Sequence, residues 1–331
     1  MHSKKIEKPK YCKNVTKKPL GGLKKLKGFY QEGTMKSQPF LQVKPNIKHK
    51  PLLQFCLFSL LEYPKMEPMV NIALRAARKA GDLILRATKR IDLVRVDEKS
   101  RNDFVTDIDY AAEKEIIYHL RKAFPAHTIV SEEAGLLEGA DNDYQWIIDP
   151  LDGTTNFIHG IPHFGVSIAC KHKDKIEHAV IVDPMRQEEF TASRGRGAFL
   201  NGNRMRISSQ PFLSGSLIAT GIPFSSPSIK HMDAYLACLN DLAKESSGIR
   251  RLGAASLDLA YVAAGRFDAF WEMHLKPWDI AAGVLLIKEA GGMVGDFHGG
   301  NAYLESGNIV CATPKVFKST LQIVQRHLGH L

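Results

Sequence analysis

From Pro68 the apolar residues Ile72, Ala73, Ala76, Ala77, Ala80, Leu83 and Ile84 recur at helical spacing, which predicts an amphipathic helix at the start of the regular part of the chain. A second helix is predicted from Ile108 to Ala123, ended by Pro125. His127–Val130 and Gln145–Ile148 read as short strands, the latter stopped by Pro150. Phe164–Lys171 and Ile176–Asp183 read as strands joined by the polar turn HKDK, and Glu189–Ala192 continues their sheet, with turns at Gly195–Gly197 and Asn201–Gly202. The second half predicts strands at Leu217–Thr220, Ile249–Arg251, Phe267–Glu272 and Gly307–Ala312. Its predicted helices are Ile229–Glu245, Ala254–Ala264, Trp278–Ala290 (closed by Gly291-Gly292) and Lys315–Leu328. Mixed hairpins and crossovers argue for layered sheets and helices rather than a simple dinucleotide-binding fold.

Charge divides the chain in two. Of 331 residues, 45 are Lys or Arg and 35 Asp or Glu, a net +10. Residues 1–65 hold 15 Lys, no Arg and 3 acids, whereas the remainder holds 30 basic and 32 acidic residues. The basic character therefore belongs to the N-terminal stretch and does not mark the body as nucleic-acid binding. That Lys-rich stretch, broken by Gly and Pro, predicts little stable structure. The abrupt change to a regular helix predicts that translation begins at Met66. A domain over 66–331 follows. The apolar run Leu52–Leu61 is about half the length a bilayer span needs, and the long basic region before it does not fit a secretory signal. Five cysteines without a CxxC pair read as free thiols. The expectation is a cytoplasmic body.

Candidate chemistry concentrates in WIIDPLDGTTNF, Trp146–Phe157. Pro150 and Gly153 fix a tight bend at the strand end, which aims Asp149, the carbonyl of Leu151 and Asp152 into one small volume. Hard divalent cations take such oxygen clusters. Gly153, Thr154 and Thr155 add backbone amides suited to phosphate oxygens and a hydroxyl able to orient a water. In IVSEEAG, Glu132 and Glu133 follow a short strand, where neighbouring carboxylates call for a neutralising cation. In KPWDIAAG, Asp279 sits in the first turn of an apolar helix. Each segment alone also fits a plainer role: a turn cap, a solvated loop edge, a helix-start acid favoured by the dipole. Their joint occurrence points to a shared metal cluster. No nucleophile elbow, phosphate-binding P-loop or HExxH motif competes.

These motifs resemble the inositol monophosphatase family. DPLDGTTN, Asp149–Asn156, is similar to its first signature and WDIAAGVLLIKEAGG, Trp278–Gly292, to its second. NDFVTDID, SEEAG, LDLAYVAAGRFD and LKPWD are most similar to its bacterial SuhB-type branch. The resemblance spans Met66–Leu331 and implies a five-layer α-β-α-β-α sandwich, usually dimeric, dependent on magnesium and inhibited by lithium. It implies that Glu132, Asp149 and the Leu151 carbonyl hold a first magnesium, that Asp149, Asp152 and Asp279 hold a second, and that Glu132 supports a third. Thr154 and Glu132 would position the attacking water, and Asp109 would hydrogen-bond near Thr154. The Gly153 and Thr154 amides would receive phosphate and Lys99 would lie in a mobile covering loop. Glu272 would hold inositol hydroxyls and Gly253, Ala254 and Ala255 would line the substrate. The implied reaction is in-line attack of water on inositol monophosphate. Fructose 1,6-bisphosphate and 3′-phosphoadenosine 5′-phosphate are the alternative substrates, and the acid at Glu272 favours a polyol over a second phosphate. The SuhB-type branch also implies partners in transcription antitermination and RNA polymerase, for which surface residues such as Arg250 and Arg251 are compatible.

Overall fold

In the computed structural model, residues 66–100, 103–223 and 226–331 are described, all within one unit spanning Glu62–Leu331. The Lys-rich stretch 1–65, with the expectation that translation begins after it, lies outside the described residues.

The long helices form where the periodicity places them. Pro68 starts the first, Pro68–Ala87, whose buried stripe is Val70, Ala73, Leu74, Ala76, Ala77, Ala80 and Ile84. Thr106 caps the second, Asp107–Ala123: its hydroxyl accepts from the amides of Ile108 and Asp109, and Asp109 accepts from the Thr106 amide in return. That reciprocal cap satisfies orphan donors at the helix start and fixes Asp109 there.

These two helices pack on one face of an eight-stranded sheet. Its strands run, in spatial order, Asn203–Arg204, Gly197–Leu200, Glu188–Ser193, Lys175–Asp183, Gly165–His172, Asp141–Asp152, His127–Ser131 and Gly135–Leu137. All neighbours are antiparallel except His127–Ser131 beside Asp141–Asp152. The period of two sorts side chains between layers. Trp146 and Ile148 face the outer helices, while Ile147 faces the interior between the sheets. A five-stranded sheet, in the order Gly248–Arg250, Leu217–Thr220, Ala269–Glu272, Ile309–Ala312 and Met293–Gly295, forms the fourth layer. Phe270 faces inward, and Ala269 and Trp271 outward toward the helices Met232–Glu245 and Pro314–Leu328.

Between the two sheets lie the helices Ala255–Ala263 and Pro277–Ala290. Every residue of the first is buried, as expected of a helix apolar all round and covered on both sides. Their close approach needs Gly283, where a Cβ would lie 2.4 Å from that of Leu259. The layers are those of the expected five-layer sandwich.

Four differences from the sequence reading have physical causes. The strand expected to stop at Pro150 continues to Asp152. Pairing jumps from Asp149 opposite Ser167 to Asp152 opposite Gly165, so one extra residue bulges and Pro150 needs no ladder donor. The predicted helix from Ile229 divides into Ser226–Ile229 and Met232–Glu245. Val96–Ser100 and Asp103–Thr106 pair as a hairpin, so Lys99 sits on a strand rather than in a loop. The turns expected at Gly195–Gly197 and Asn201–Gly202 flank a short strand that the sequence reading did not name, Gly197–Leu200, which returns tightly to Asn203–Arg204.

Candidate active site

The bulge at Asp149–Asp152 shapes the centre of the site. Asp149 turns its Oδ1 onto the amide of Leu151 at 3.0 Å. The Leu151 carbonyl points at Thr154, whose hydroxyl reaches it at 3.0 Å and Asp109 Oδ1 at 3.1 Å. One hydroxyl proton serves only one of these acceptors at a time. Gly153 adopts φ 93°, a left-handed turn that glycine takes without steric penalty, and the short helix Thr154–Ile158 starts after it. A Cβ there would also lie 3.1 Å from the His163 carbonyl.

The other acids arrive from three separate segments. Asp279, in the first turn of Pro277–Ala290, accepts from the Lys276 amide at 2.7 Å. Glu132 directly follows the strand His127–Ser131. Its turn is held by Glu113, a buried carboxylate on the helix Asp107–Ala123. Glu113 accepts from the Ser131 hydroxyl and from the amides of Glu133 and Ala134 at 3.1 and 3.0 Å. The neutralising cation that the Glu132-Glu133 pair called for is Lys99, whose Nζ lies 2.8 Å from Glu132 and 2.6 Å from Glu133. Asp152 accepts from both the amide of Ser256, at 2.7 Å, and its hydroxyl.

These groups surround a cavity of about 180 Å³ lined by Glu132, Asp152, Gly153, Thr154, Gly253, Ala254, Ala255, Glu272 and Asp279, among others. Asp149 is just behind the wall, 2% exposed. The loop Leu252–Ala255 is tied to the bulge segment by Asn156, whose amide donates to the Leu252 carbonyl at 2.8 Å. Glu272 lies flat on Gly221, where a Cβ would be 1.8 Å from its Oε1. Arg251, read from sequence as a surface residue, is exposed and also lines this cavity. A larger groove of about 580 Å³ beside Arg75, Arg78, Lys79 and Lys122 holds no acid cluster.

Electrostatics mark the acids as a set. Burial pushes Asp149 well above the ordinary carboxylate range, and Glu132, Asp152 and Asp279 push it further. Burial and then Asp152 do the same to Asp279. Asp152 is pushed up to about 6 by burial, against the hydrogen bonds from Ser256. Burial also raises Glu132, against Lys99, and lifts Asp109 to about 6 and Glu272 to about 8. Carboxylates that raise one another in this way all ionise only beside a cation. Among the described residues, no three acidic, histidine or cysteine side chains already converge at ligand distance; Glu132, Asp149, Asp152, Asp279 and Asp109 each accept from a protein donor instead. The donor set is all oxygen, which suits a hard divalent ion.

The structure thus brings together Glu132, Asp149, Leu151, Asp152, Gly153, Thr154 and Asp279, with Asp109 behind Thr154 and Glu272 and Gly253–Ala255 at the far end. Ser256, Glu113 and Asp258 were not singled out from sequence, and Arg251 was named only as a surface residue, not as part of the site. The T-x-x-D spacing of Thr106 and Asp109 was a readable capping signal. The other four carry no local signal.

The inositol monophosphatase family model matches residues 65–328. The Nus factor SuhB of Pseudomonas aeruginosa is 58% identical over 265 residues, covering 80% of this chain and 98% of that protein. The crystal structure of extragenic suppressor protein suhB from Bartonella henselae superposes with a TM-score of 0.76 at 42% identity, over 79% of this chain and 100% of its own. The Thermotoga maritima IMPase gives a TM-score of 0.72 at 35% identity, over 80% and 99%. By its signatures, its layers and these likenesses, the chain belongs to the inositol monophosphatase family.

Proposed function

We propose that the chain hydrolyses inositol monophosphate to inositol and inorganic phosphate in a magnesium-dependent reaction. The observation that carries this reading is the meeting, around one cavity, of Glu132, Asp152 and Asp279 from distant segments, over the buried Asp149 and beside the Thr154–Asp109 pair. Their carboxylates and the Leu151 carbonyl are the groups that would hold two to three magnesium ions. When bound, such ions neutralise phosphoryl charge, lower the pKa of a water and stabilise the departing oxygen.

The remaining roles fall to the chain itself. Asp109 accepts from the Thr154 hydroxyl and so sets its direction; with Glu132, Thr154 then orients the attacking water. The amides of Gly153 and Thr154 receive phosphate oxygens at the start of a helix. Glu272 and the turn Gly253, Ala254 and Ala255 hold the alcohol part of the substrate. Lys99, held on Oε1 of Glu132, competes with a metal for that carboxylate. The test is phosphate release from inositol 1-phosphate, with and without magnesium, beside fructose 1,6-bisphosphate and 3′-phosphoadenosine 5′-phosphate. Faster magnesium-dependent release from either bisphosphate would move the substrate assignment.

The 58% identity to a protein named a Nus factor favours a second role alongside catalysis. In that role the chain, as a homodimer, contacts RNA polymerase or antitermination factors. Retention of RNA polymerase on the immobilised full chain at moderate salt tests it, and no retention would remove it.

A further inference from the structure

Asp258 lies on the helix Ala255–Ala263 and lines the same cavity as Glu272 and Gly221. It is 1% exposed, and its Oδ1 is buried without a hydrogen-bond partner. The structural aspartates of this protein are treated differently. Asp296 accepts from the amides of His298, Gly300 and Ala302, and Asp268 from Ser208 and the Leu217 amide. A buried carboxyl oxygen without a donor is costly to fold, so it marks either a functional group or a bridging water.

What faces that oxygen is His163. Its Nε2, also buried and without a partner, is 4.0 Å from Asp258 Oδ1. The other ring nitrogen, Nδ1, is 3.5 Å from Nη1 of Arg186. A guanidinium only donates, so Nδ1 is the acceptor and the proton of the neutral ring sits on Nε2. Burial and Arg186 keep the ring neutral, pushed down to about 4. Arg186 is itself fixed by Asp183 at 2.9 Å and by the Pro162 carbonyl at 3.1 Å. The His163 carbonyl is held by Asn156 at 2.8 Å, which ties the ring to the segment that carries Asp149 and Asp152. An N–H is therefore aimed at Asp258 from behind the cavity wall, about 1 Å beyond hydrogen-bond distance.

We propose that Asp258, backed by His163, is a second acceptor for substrate hydroxyls beside Glu272. The assignment rests on the polyol reading above. A hydroxyl of the substrate donates to the carboxylate from the cavity side, and the His163 N–H closes onto it from the other. His163 is then a positioning residue that acts through Asp258.

The test compares the full chain with Asp258→Leu and His163→Phe, in magnesium, on inositol 1-phosphate and on p-nitrophenyl phosphate, whose leaving group offers no hydroxyl to bind. For Asp258→Leu the ratio of KM for inositol 1-phosphate to KM for p-nitrophenyl phosphate rises several-fold, roughly three- to ten-fold, the scale of one hydrogen bond. For His163→Phe it rises by a smaller factor. Tm of Asp258→Leu stays level or rises, because an unpaired buried oxygen is removed. An unchanged KM ratio overturns the proposal. So does a fall in Tm of several degrees with both esters affected alike, the signature of a structural, water-bridged acid. Should Asp258→Leu not fold, His163→Phe reads the same ratio. If the unaltered chain cleaves p-nitrophenyl phosphate but not inositol 1-phosphate, the polyol reading falls and this assignment with it.

Discussion

Asp152→Asn separates the folding role of the site from its chemical one. Asp152 is 9% exposed and accepts two hydrogen bonds from Ser256. Burial raises its carboxyl from 3.8 to about 6. At pH 8 the unfolded chain ionises this group freely, whereas the metal-free folded chain ionises it at a penalty of about 3 kcal/mol. Asparagine keeps an acceptor for the Ser256 amide and carries no charge. The metal-free variant is therefore expected to be more stable than wild type at pH 8, by roughly 1–3 kcal/mol once the weaker hydrogen bonds are deducted. For a domain of this size that is a rise in Tm of several degrees. A raised folded pKa contributes stability below the unfolded value that is lost as pH rises through the folded one, so the gain shrinks toward pH 4. Magnesium should reverse the order, stabilising wild type more than the variant, and turnover should fall on the order of 10²–10³-fold. Thermal unfolding at pH 4 and pH 8, with chelator or magnesium, reads the first part and phosphate release the second. A variant less stable than wild type in chelator at pH 8, or one with near-normal magnesium-dependent turnover, would refute the reasoning.

Three further outcomes follow from the same geometry. Glu272 titrates at about 8 in the folded chain against an ordinary 4.5, so metal-free stability declines as pH rises through that window. The Tm advantage of Glu272→Gln over wild type should widen from pH 5 to pH 8, and a constant difference would contradict it. Thr154→Val keeps the side chain's shape but removes the donor shared by Leu151 and Asp109. Turnover should drop roughly 10²-fold with under about 2 kcal/mol lost in urea unfolding; full turnover would free Thr154 from its role. Gly283→Ala places a methyl 2.4 Å from the Leu259 Cβ. Overpacking of about 1–3 kcal/mol outweighs the helix-propensity gain of up to about 1 kcal/mol, so the urea midpoint should fall, and an unchanged midpoint would show the two helices free to part.

Local signals were enough for the parts of this protein that depend on neighbours in the chain. The buried stripe through Ala73, Ala76, Ala77, Ala80 and Ile84 and the bend at Pro150 and Gly153 each arise within a few residues and were readable from sequence. Asp149, Leu151 and Asp152 stay near one another because three residues around a turn cannot separate. The tertiary structure decided what meets that turn. Glu132, Asp279 and Ser256 reach it because the middle helices begin, and the strand His127–Ser131 ends, beside that turn, a consequence of layering that no spacing encodes. Pro150 was read as a stop because a proline lacks a ladder donor; the bulge removes that need, and only pairing with Ser167 and Gly165 reveals it. Lys99 neutralises Glu132 and Glu133 across a hairpin that lacks an apolar face to announce it. His163 and Asp258 are far apart in sequence, and neither has a local pattern. Periodicity and turn chemistry act over a few residues, while the pairing of distant polar groups is set by how the buried faces of whole layers come together.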